Sequence, residues 1–351
     1  MKAKKNSDKK IRKKIIKNKK LMILLILVAG TLFLVSTYAW FTTNLNVRIR
    51  TFTMKVDNNS GLTISLDGVN FDTFLEISYD TLIKNLGQLY PGHTSQWVED
   101  GLVPVSSNGI TNHNNYYFNM FYSSGVKYRN LDKKDGLLIT YLDSESESRA
   151  FNRYLAFDVF FKNDSDSPIP DNLYLDNISE ISINGGASEE MVGLFNSLRI
   201  GIVKVGTVSK TSNANVVQNI SCNNDCYSII YEPRSTEHTD LSIERAVKYG
   251  INLQNGNYFD TYAYKQAGGP IIVDTTVSGS PYMDMNYFEK QETVTEEIYS
   301  SPLFSIPDGI TKARIYVWIE GQDIDSLETD SKGAYLTLSL GFYKDTQGYN
   351  Q

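Results

Sequence analysis

Histidine and cysteine are scarce in this chain, with three and two residues among 351. No histidine lies in an H-E-x-x-H pattern, so the paired imidazoles and glutamate base of a zinc hydrolase are not visible. The patterns G-x-S-x-G, G-x-x-x-x-G-K-[ST] and G-x-G-x-x-G are missing too, which removes the usual support for a serine hydrolase or a nucleotide-binding protein. The sequence therefore predicts a protein that is not an enzyme. We expect the three histidines, His93, His113 and His238, to be ordinary polar surface residues.

Positive charge is concentrated at the start of the chain. Residues 1–20 hold eleven of the 34 Lys and Arg but one of the 40 Asp and Glu, which leaves 23 basic and 39 acidic side chains beyond them. So acidic a body argues against nucleic acid as a partner, because phosphate binding needs a basic surface. Lysines directly before an apolar run favour retention of that region in the cytoplasm. The sequence thus predicts a basic cytoplasmic region over 1–20 and an extracellular or cell-surface location for the body of the chain.

Residues 21–39 contain the one long apolar run, LMILLILVAGTLFLV, followed by STYA. A signal-peptide core has this length, and T-Y-A would allow cleavage after Ala39, leaving Trp40 as the first residue. Alternatively, the 21 residues from Leu21 to Phe41 would form a helix of about 31 Å, long enough to span a bilayer. The N-terminus would then stay in the cytoplasm. Spacing alone leaves signal peptide and transmembrane anchor both open.

Alternating apolar residues recur through the body. RYLAFDVFFKN (153–163), RIYVWIEG (314–321) and AYLTLSLGFYK (334–344) each place apolar side chains at every second position. Further candidate strands are VRIRTFTMKV (47–56), GLTISL (61–66), GLLITYL (136–142) and LRIGIVKV (198–205). Amphipathic helices between them are few, with Ser188 and Ser242 as candidate N-caps. The sequence predicts a mainly β protein: a jelly-roll-like antiparallel β-sandwich over 57–351, with an elaborated insertion over about 206–300 and an N-terminal hydrophobic helix before it.

Two kinds of polar cluster are candidate binding sites. Cys222 and Cys226 form a C-x3-C pair, which outside the cell predicts a disulfide, and a zinc site would need two further ligands. Asp323, Asp325, Glu328 and Asp330 follow a predicted strand, and NDSDSPIPD (163–171) holds three more acids. Oxygen ligands at such spacing suit calcium, although neither stretch fits an EF-hand loop and acidic turns at strand ends are the simpler explanation of both. We expect no other cofactor.

Aromatic residues are dense in NNYYFNMFYSSG (114–125). Such rings build sugar-binding platforms and protein interfaces, but an ordinary strand with buried rings has the same composition. The candidate interface residues are Trp40, Phe41, Phe52, Tyr116, Tyr117, Phe118 and Tyr122.

The ending T-Y-A-W-F-T, with TFTMKV and LTISLDG after it, resembles the start of the TasA/camelysin family of Gram-positive surface and biofilm-matrix proteins. RIYVWIEGQDID (314–325) is similar to a C-terminal motif of secreted proteins with the same type of signal. The resemblance covers both ends of the chain and not its middle. It implies cleavage after Ala39 by a dedicated signal peptidase of the SipW type, and assembly with copies of itself or related matrix subunits.

Three functions remain as hypotheses. The first is an exported, non-enzymatic surface or matrix protein, a fibre subunit whose N-terminal arm, residues 40–56, pairs with a sheet edge of the next subunit. The charged Arg48 and Arg50 in this arm would need acidic or solvated surroundings on the acceptor. The second keeps the helix as an anchor and uses the β-sandwich to bind cell-wall glycan or protein. The third, a camelysin-like secreted metallopeptidase, rests on the resemblance alone.

Overall fold

The structure is a computed structural model in which fifteen stretches of the chain are described. They are residues 47–57, 60–84, 90, 93–99, 101–109, 118, 120–123, 142–144, 153–184, 193, 195–222, 226–248, 258–264, 288–326 and 335–345, together with Lys20 and Met22. The chain divides into two compact units, Met1–Leu45 and Asn46–Gln351, and the strands lie in the second. No helix in these stretches is long and apolar enough to be a membrane-spanning candidate. Most of the predicted hydrophobic helix, residues 21–39, lies outside them.

The second unit is mainly β, as the sequence predicts. Its strands are β1 Arg48–Val56, β2 Leu62–Ser65, β3 Phe74–Ile77, β4 Val105–Ser106, β5 Phe121–Ser123, β6 Leu142–Ser144, β7 Leu155–Asn163, β8 Asp171–Leu175, β9 Glu180–Asn184, β10 Leu198–Val208, β11 Tyr227–Tyr231, β12 Tyr262–Tyr264, β13 Phe288–Lys290, β14 Phe304–Ile306, β15 Gly309–Ile319 and β16 Tyr335–Asp345. Helices α1 (Ala214–Gln218) and α2 (Asp240–Lys248) are short, as are a π-helical turn at Asp80–Lys84 and a 3-10 turn at Glu296–Tyr299.

One sheet has five antiparallel strands in the order β11-β10-β15-β7-β2. The alternating sequences of its three central strands explain why its inner face is apolar, since every second residue of a strand points to the same side. Nearly every residue of β7, β10 and β15 is buried, so both faces of this sheet are covered.

The other large sheet follows the order β14-β8-β16-β1-β3, with β9 pairing β16 beside β8. Its centre is a parallel pair, β1 with β16, which joins the first and last strands of the unit. On its other edge β1 pairs antiparallel with β3. Residues 48–56, predicted as part of a separate arm, are therefore an inner strand of the same unit.

The two large sheets pack face to face over one apolar core, which gives the sandwich layers. The rings of Phe52 on β1 and Phe157 on β7 lie 5.3 Å apart, and those of Phe161 on β7 and Phe342 on β16 lie 5.2 Å apart. The alternate residues of the central strands fill the rest: Met54, Leu155, Val159, Leu198, Ile200, Ile202, Ala313, Ile315, Val317, Ile319, Leu336, Leu338 and Leu340. Burial of these side chains supplies most of the stability of such a fold.

The segment 206–300, predicted as an insertion, contributes in part to the main sandwich. Strand β11 lies within it and is an integral edge of the five-stranded sheet, pairing with β10. Strands β12 and β13 form a separate two-stranded sheet. Helix α2 begins at Asp240, so Ser242, the predicted N-cap, lies inside the helix. The N-cap is Thr239, whose hydroxyl accepts a hydrogen bond from the Ser242 N–H.

Candidate functional site

Charged side chains are buried on the outer face of the five-stranded sheet, the face turned away from the sandwich core. Asp158, Arg199 and Arg314 are each at most 4% exposed. Burial of unpaired charge is very costly, so these side chains must be satisfied by partners within the protein. They form two clusters.

The Asp158 cluster consists of Asp158, Lys312, Arg314, Tyr90 and Tyr316. Arg314 lies directly opposite Asp158 in the pairing of β15 with β7, which brings the two side chains together. Arg314 Nη1 donates to Asp158 Oδ1 at 3.0 Å, and Lys312 Nζ lies 3.2 Å from Oδ2. The Tyr90 hydroxyl donates to Oδ2 as well, and Arg314 Nε donates to the Tyr316 hydroxyl at 2.9 Å.

Cations outnumber the carboxylate in this cluster. Burial by itself would raise the pKa of Asp158, but the positive charges of Arg314 and Lys312 lower it below its usual value. His93 beside the cluster, its ring 5.5 Å from that of Tyr90, has a pKa lowered by burial. Asp158 is therefore ionised throughout the neutral range.

The Arg199 cluster consists of Arg199, Glu232, Gln291, Glu320 and Asp323. Arg199 Nη2 lies 2.5 Å from Asp323 Oδ2 and 3.0 Å from Glu232 Oε1, and its Nε donates to Gln291 Oε1 at 2.9 Å. Glu320 Oε2 accepts from Gln291 Nε2 at 3.0 Å. The same oxygen accepts from the indole of Trp318 at 3.1 Å.

Sheet connectivity explains why these residues meet. Strand β10 runs antiparallel to both β11 and β15, so its start lies beside their ends. Arg199 is near the start of β10, whereas Glu232 and Glu320 directly follow β11 and β15. The sequence separates Arg199 from Asp323 by 124 positions, so only this pairing brings them together.

In the Arg199 cluster the carboxyl groups outnumber the guanidinium, so its electrostatics are opposite to those of the Asp158 cluster. Burial raises the pKa of Glu232 and that of Glu320 to about 7 against the opposing attraction of Arg199. Burial likewise raises the pKa of Asp323. Burial would lower the pKa of Arg199, but Glu232, Asp323 and Glu320 raise it. The cluster therefore changes its protonation near neutral pH.

Two of the four predicted calcium ligands belong to this region. Asp323 is paired with Arg199, and Asp325 accepts from the Thr239 N–H at 3.0 Å and contacts His238 Nδ1. Their oxygens therefore face protein groups. Glu328 and Asp330 lie outside the described residues, and within those residues no group of three or more His, Cys, Asp or Glu is arranged to hold a metal ion.

The expectation that the histidines are surface residues is wrong for His238. Its side chain is 4% exposed, next to Asp325 and edge-on to the ring of Phe259 at 4.9 Å. The polar residues around it gave no hint of this burial, because Phe259 and Asp325 are distant in sequence. His113 lies outside the described residues.

A third cluster, the Asn163 cluster, consists of Asn163, Asp171 and Lys344 and lies where the two large sheets meet. Lys344 Nζ donates to Asn163 Oδ1 at 2.6 Å and to Asp171 Oδ2 at 2.8 Å. Asn163 Nδ2 donates to the same Asp171 oxygen at 3.0 Å. All three side chains are almost fully buried. The neighbouring acids Asp164 and Asp166 instead face Lys210 on the surface.

The remaining predicted site residues are dispersed. The structure joins Cys222 and Cys226 in a disulfide, with Cα atoms 5.6 Å apart. Phe52 is fully buried in the core, and Phe118 is stacked on Tyr316 with ring centroids 4.7 Å apart. The backbone of Tyr122 pairs within the sheet that contains β5. The other candidates, Ala39, Trp40, Phe41, Tyr116 and Tyr117, lie outside the described residues.

Little in the sequence indicates that these charged residues are buried together. Asp158 and Arg314 each interrupt a run of apolar residues, LAFDVFF and ARIYVW, and a charge inside such a run is the usual mark of a buried pair. Lys344 and Asn163 each lie at the end of a long strand, where a polar residue is ordinary. The partners of all these residues are unpredictable from local sequence.

No protein-family model, no curated protein and no solved structure matches this chain.

Proposed function

We propose that this chain is an exported, non-enzymatic protein of the cell surface or extracellular matrix, with a jelly-roll-like sandwich as its exported part. The observation that carries the proposal is an abrupt change along the chain. A basic stretch over residues 1–20 and an apolar run over 21–35 come first, and an acidic β unit follows, with its first strand beginning at Arg48. This order is that of a leader and its cargo.

The disulfide supports the same location. Cys222 and Cys226 are the two cysteines of the chain, and they are joined to each other. Disulfides persist mainly in oxidising surroundings outside the cytoplasm.

N-terminal sequencing of the mature protein, produced with its full leader in a Gram-positive host, tests the export step. We expect the mature chain to begin at Trp40 and to be recovered outside the membrane fraction. A chain that keeps Lys2 and sediments with membranes would contradict secretion and support instead an anchored sandwich that binds glycan or protein. A mature chain found in the cytoplasm with free thiols at Cys222 and Cys226 would contradict both.

For assembly, we propose that the donated strand is the short segment 40–46 and not the whole arm 40–56. Strand β1 is enclosed between β16 and β3, so donating it would expose Phe52 and Met54, which are fully buried. We take β3 as the acceptor: within the described part of the chain it is one of the two end strands of the six-stranded sheet, the other being β14, and it places a half-exposed Phe74 at its edge. An added strand gains main-chain hydrogen bonds at such an edge.

Electron microscopy of two purified chains tests this step. The first begins at Trp40, and the matched control begins at Asn46, so both keep the compact unit Asn46–Gln351. We expect filaments from the first and dispersed particles from the second. Equal filament formation by both chains would contradict donation by 40–46, and so would the absence of filaments from both.

A further inference from the structure

The Asn163 cluster has the composition of a reactive site. It brings a primary amine, a carboxamide and a carboxyl group into mutual hydrogen-bond distance, in an interior position that excludes water. Asp171 Oδ2 is within 2.8 Å of Lys344 Nζ and 3.0 Å of Asn163 Nδ2. One oxygen therefore contacts both nitrogens that an amide exchange would involve.

We propose that Lys344 and Asn163 join in an intramolecular isopeptide bond, with Asp171 as the catalytic residue that transfers the protons. This modification is independent of the proposed export and assembly. It needs no cofactor or co-reactant, because the amine, the amide and the acid are all present in the folded chain.

The chemistry balances within the cluster. Lys344 Nζ passes one proton to the Asp171 carboxylate and, as a neutral amine, attacks Asn163 Cγ, forming a C–N bond. The resulting tetrahedral group loses Nδ2, which takes up a second proton from Nζ by way of Asp171 Oδ2 and leaves as ammonia. The products are one secondary amide, one ammonia molecule and a protonated Asp171. An amine held against its target in this way reacts as if at very high concentration.

The surroundings favour reaction over a stable ion pair. Phe161 and Phe342, each two residues before a reacting residue, lie with ring centroids 5.2 Å apart. Asp171 pairs with the fully buried Ile306, whose carbonyl holds the Asn163 carboxamide at 2.9 Å. Asp171 Oδ1 is buried with no hydrogen-bond partner among the described residues, so it can carry the proton. An ion pair in such a place is poorly stabilised, whereas the product is neutral.

The bond would tie β7 of one sheet to β16 of the other, across residues 181 positions apart. A cross-link that closes so long a loop strongly restricts the unfolded chain, which stabilises the folded one. The two layers of the sandwich could then not separate at this end.

Intact mass spectrometry of the purified wild-type chain, folded and then reduced, is the direct test. We expect a mass lower than that of the sequence by one ammonia molecule, and a tryptic product in which the peptides containing Asn163 and Lys344 are joined. A wild-type mass equal to that of the sequence overturns the proposal, whether or not any variant folds.

Variants separate the bond from other losses of ammonia. Lys344→Arg keeps the positive charge without the amine, and Asp171→Asn keeps the shape without the acid, so both should retain the full mass. Asn172→Ala, beside Asp171 but outside the cluster, should still lose ammonia. Loss of ammonia that persists in Lys344→Arg would assign it to a succinimide at an asparagine, without Lys344, and would overturn the proposal. We also expect Lys344→Arg to lower Tm by about 10 °C.

Discussion

The Asp158 cluster and the Arg199 cluster lie on the same face of the same sheet and have opposite electrostatics. In the first, Arg314 and Lys312 surround one carboxylate, and its pKa is lowered. In the second, several carboxyls surround Arg199, and burial raises the pKa of two of them to about 7. Burial is nearly complete in both, so the ratio of cations to carboxyls decides the direction. Asp158 therefore stays ionised over the neutral pH range, whereas Glu232 and Glu320 of the Arg199 cluster titrate within it.

The largest effect is expected from Asp158→Asn. The substitution removes the carboxylate that neutralises Arg314 and Lys312, and leaves buried positive charge uncompensated. We expect a loss of about 3–5 kcal/mol in the free energy of unfolding, measured by chemical denaturation. Glu76→Gln, an exposed change on β3, is the control and should stay within about 0.5 kcal/mol of wild type. A loss as small as that of the control would show that Asp158 is not needed to balance these cations.

Replacement of the arginines should separate the clusters by pH. Arg199→Met leaves carboxyl groups without their cation, so we expect a loss of about 3 kcal/mol at pH 8 and a clearly smaller one at pH 5, where Glu232 and Glu320 are protonated. Arg314→Met is the matched variant, and its loss should change little between these pH values. Denaturation at both pH values measures the difference. Identical pH behaviour of the two variants would contradict the contrast drawn between the clusters.

The stability of the wild-type chain should fall as the pH rises from about 5 to about 8. Glu232 and Glu320 hold protons in the folded state up to about pH 7, whereas in the unfolded state they lose them near pH 4.5. The folded state thus binds more protons than the unfolded state between these pH values. Each carboxyl therefore contributes a stabilisation that is complete below about pH 4.5 and is lost as the pH rises to about 7. For a pKa shift of this size the contribution is about 3 kcal/mol.

Glu320→Gln should reduce this fall by about half, because the amide does not titrate and Glu232 remains. Glu297→Gln, an exposed change in the 3-10 turn, should leave it unaltered. The measurement is Tm against pH for all three chains. A wild-type Tm that rises over this pH range would show that other groups dominate. Below about pH 4 the lowered pKa of Asp158 acts in the opposite direction, and stability should fall.

The smallest effect is expected from Gly201→Ala, which acts on both clusters together. Phe118 lies against Gly201, stacks on Tyr316 of one cluster and packs edge-on to Trp318, the indole bonded to Glu320. A Cβ at position 201 would collide with the Phe118 ring, at a cost of about 1–3 kcal/mol.

Gly341→Ala is the control, because its Cβ would approach Asp176 and the exposed Ile178 no closer than 3.1 Å, whereas a Cβ at position 201 would lie much closer than this to Phe118. Chemical denaturation measures both variants. A Gly201→Ala chain as stable as its control would show that Phe118 is not a tight cover over the two clusters.

Much of the sandwich was predictable, because strand patterns are local. The alternation of Leu155, Phe157, Val159 and Phe161 shows one face of β7, and that face is the one that packs on the other sheet. The opposite face of β7 was not predictable in the same way. Whether Asp158 meets water or Arg314 depends on chain segments far away in the sequence, and 156 positions separate the two.

The same limit applies to the candidate site. Asp323 and Asp325 suggest calcium when only their spacing is considered, but a strand from another part of the chain brings Arg199 to Asp323. The hydrogen-bonded arrangement of Asn163, Asp171 and Lys344 likewise combines residues from three strands. The local sequence shows which side chains are present, but it does not show which of them are in contact in the folded protein.

By itself, the sequence determined that a basic stretch and an apolar run precede an acidic body whose β-strands have one apolar face, because charge and two-residue periodicity act over short distances. Only the tertiary structure decided which charges are buried together, which carboxyls titrate near neutral pH and where an amine meets a carboxamide. Those properties depend on the pairing of distant strands, since burial and proximity, rather than residue type, set the energy of a charge.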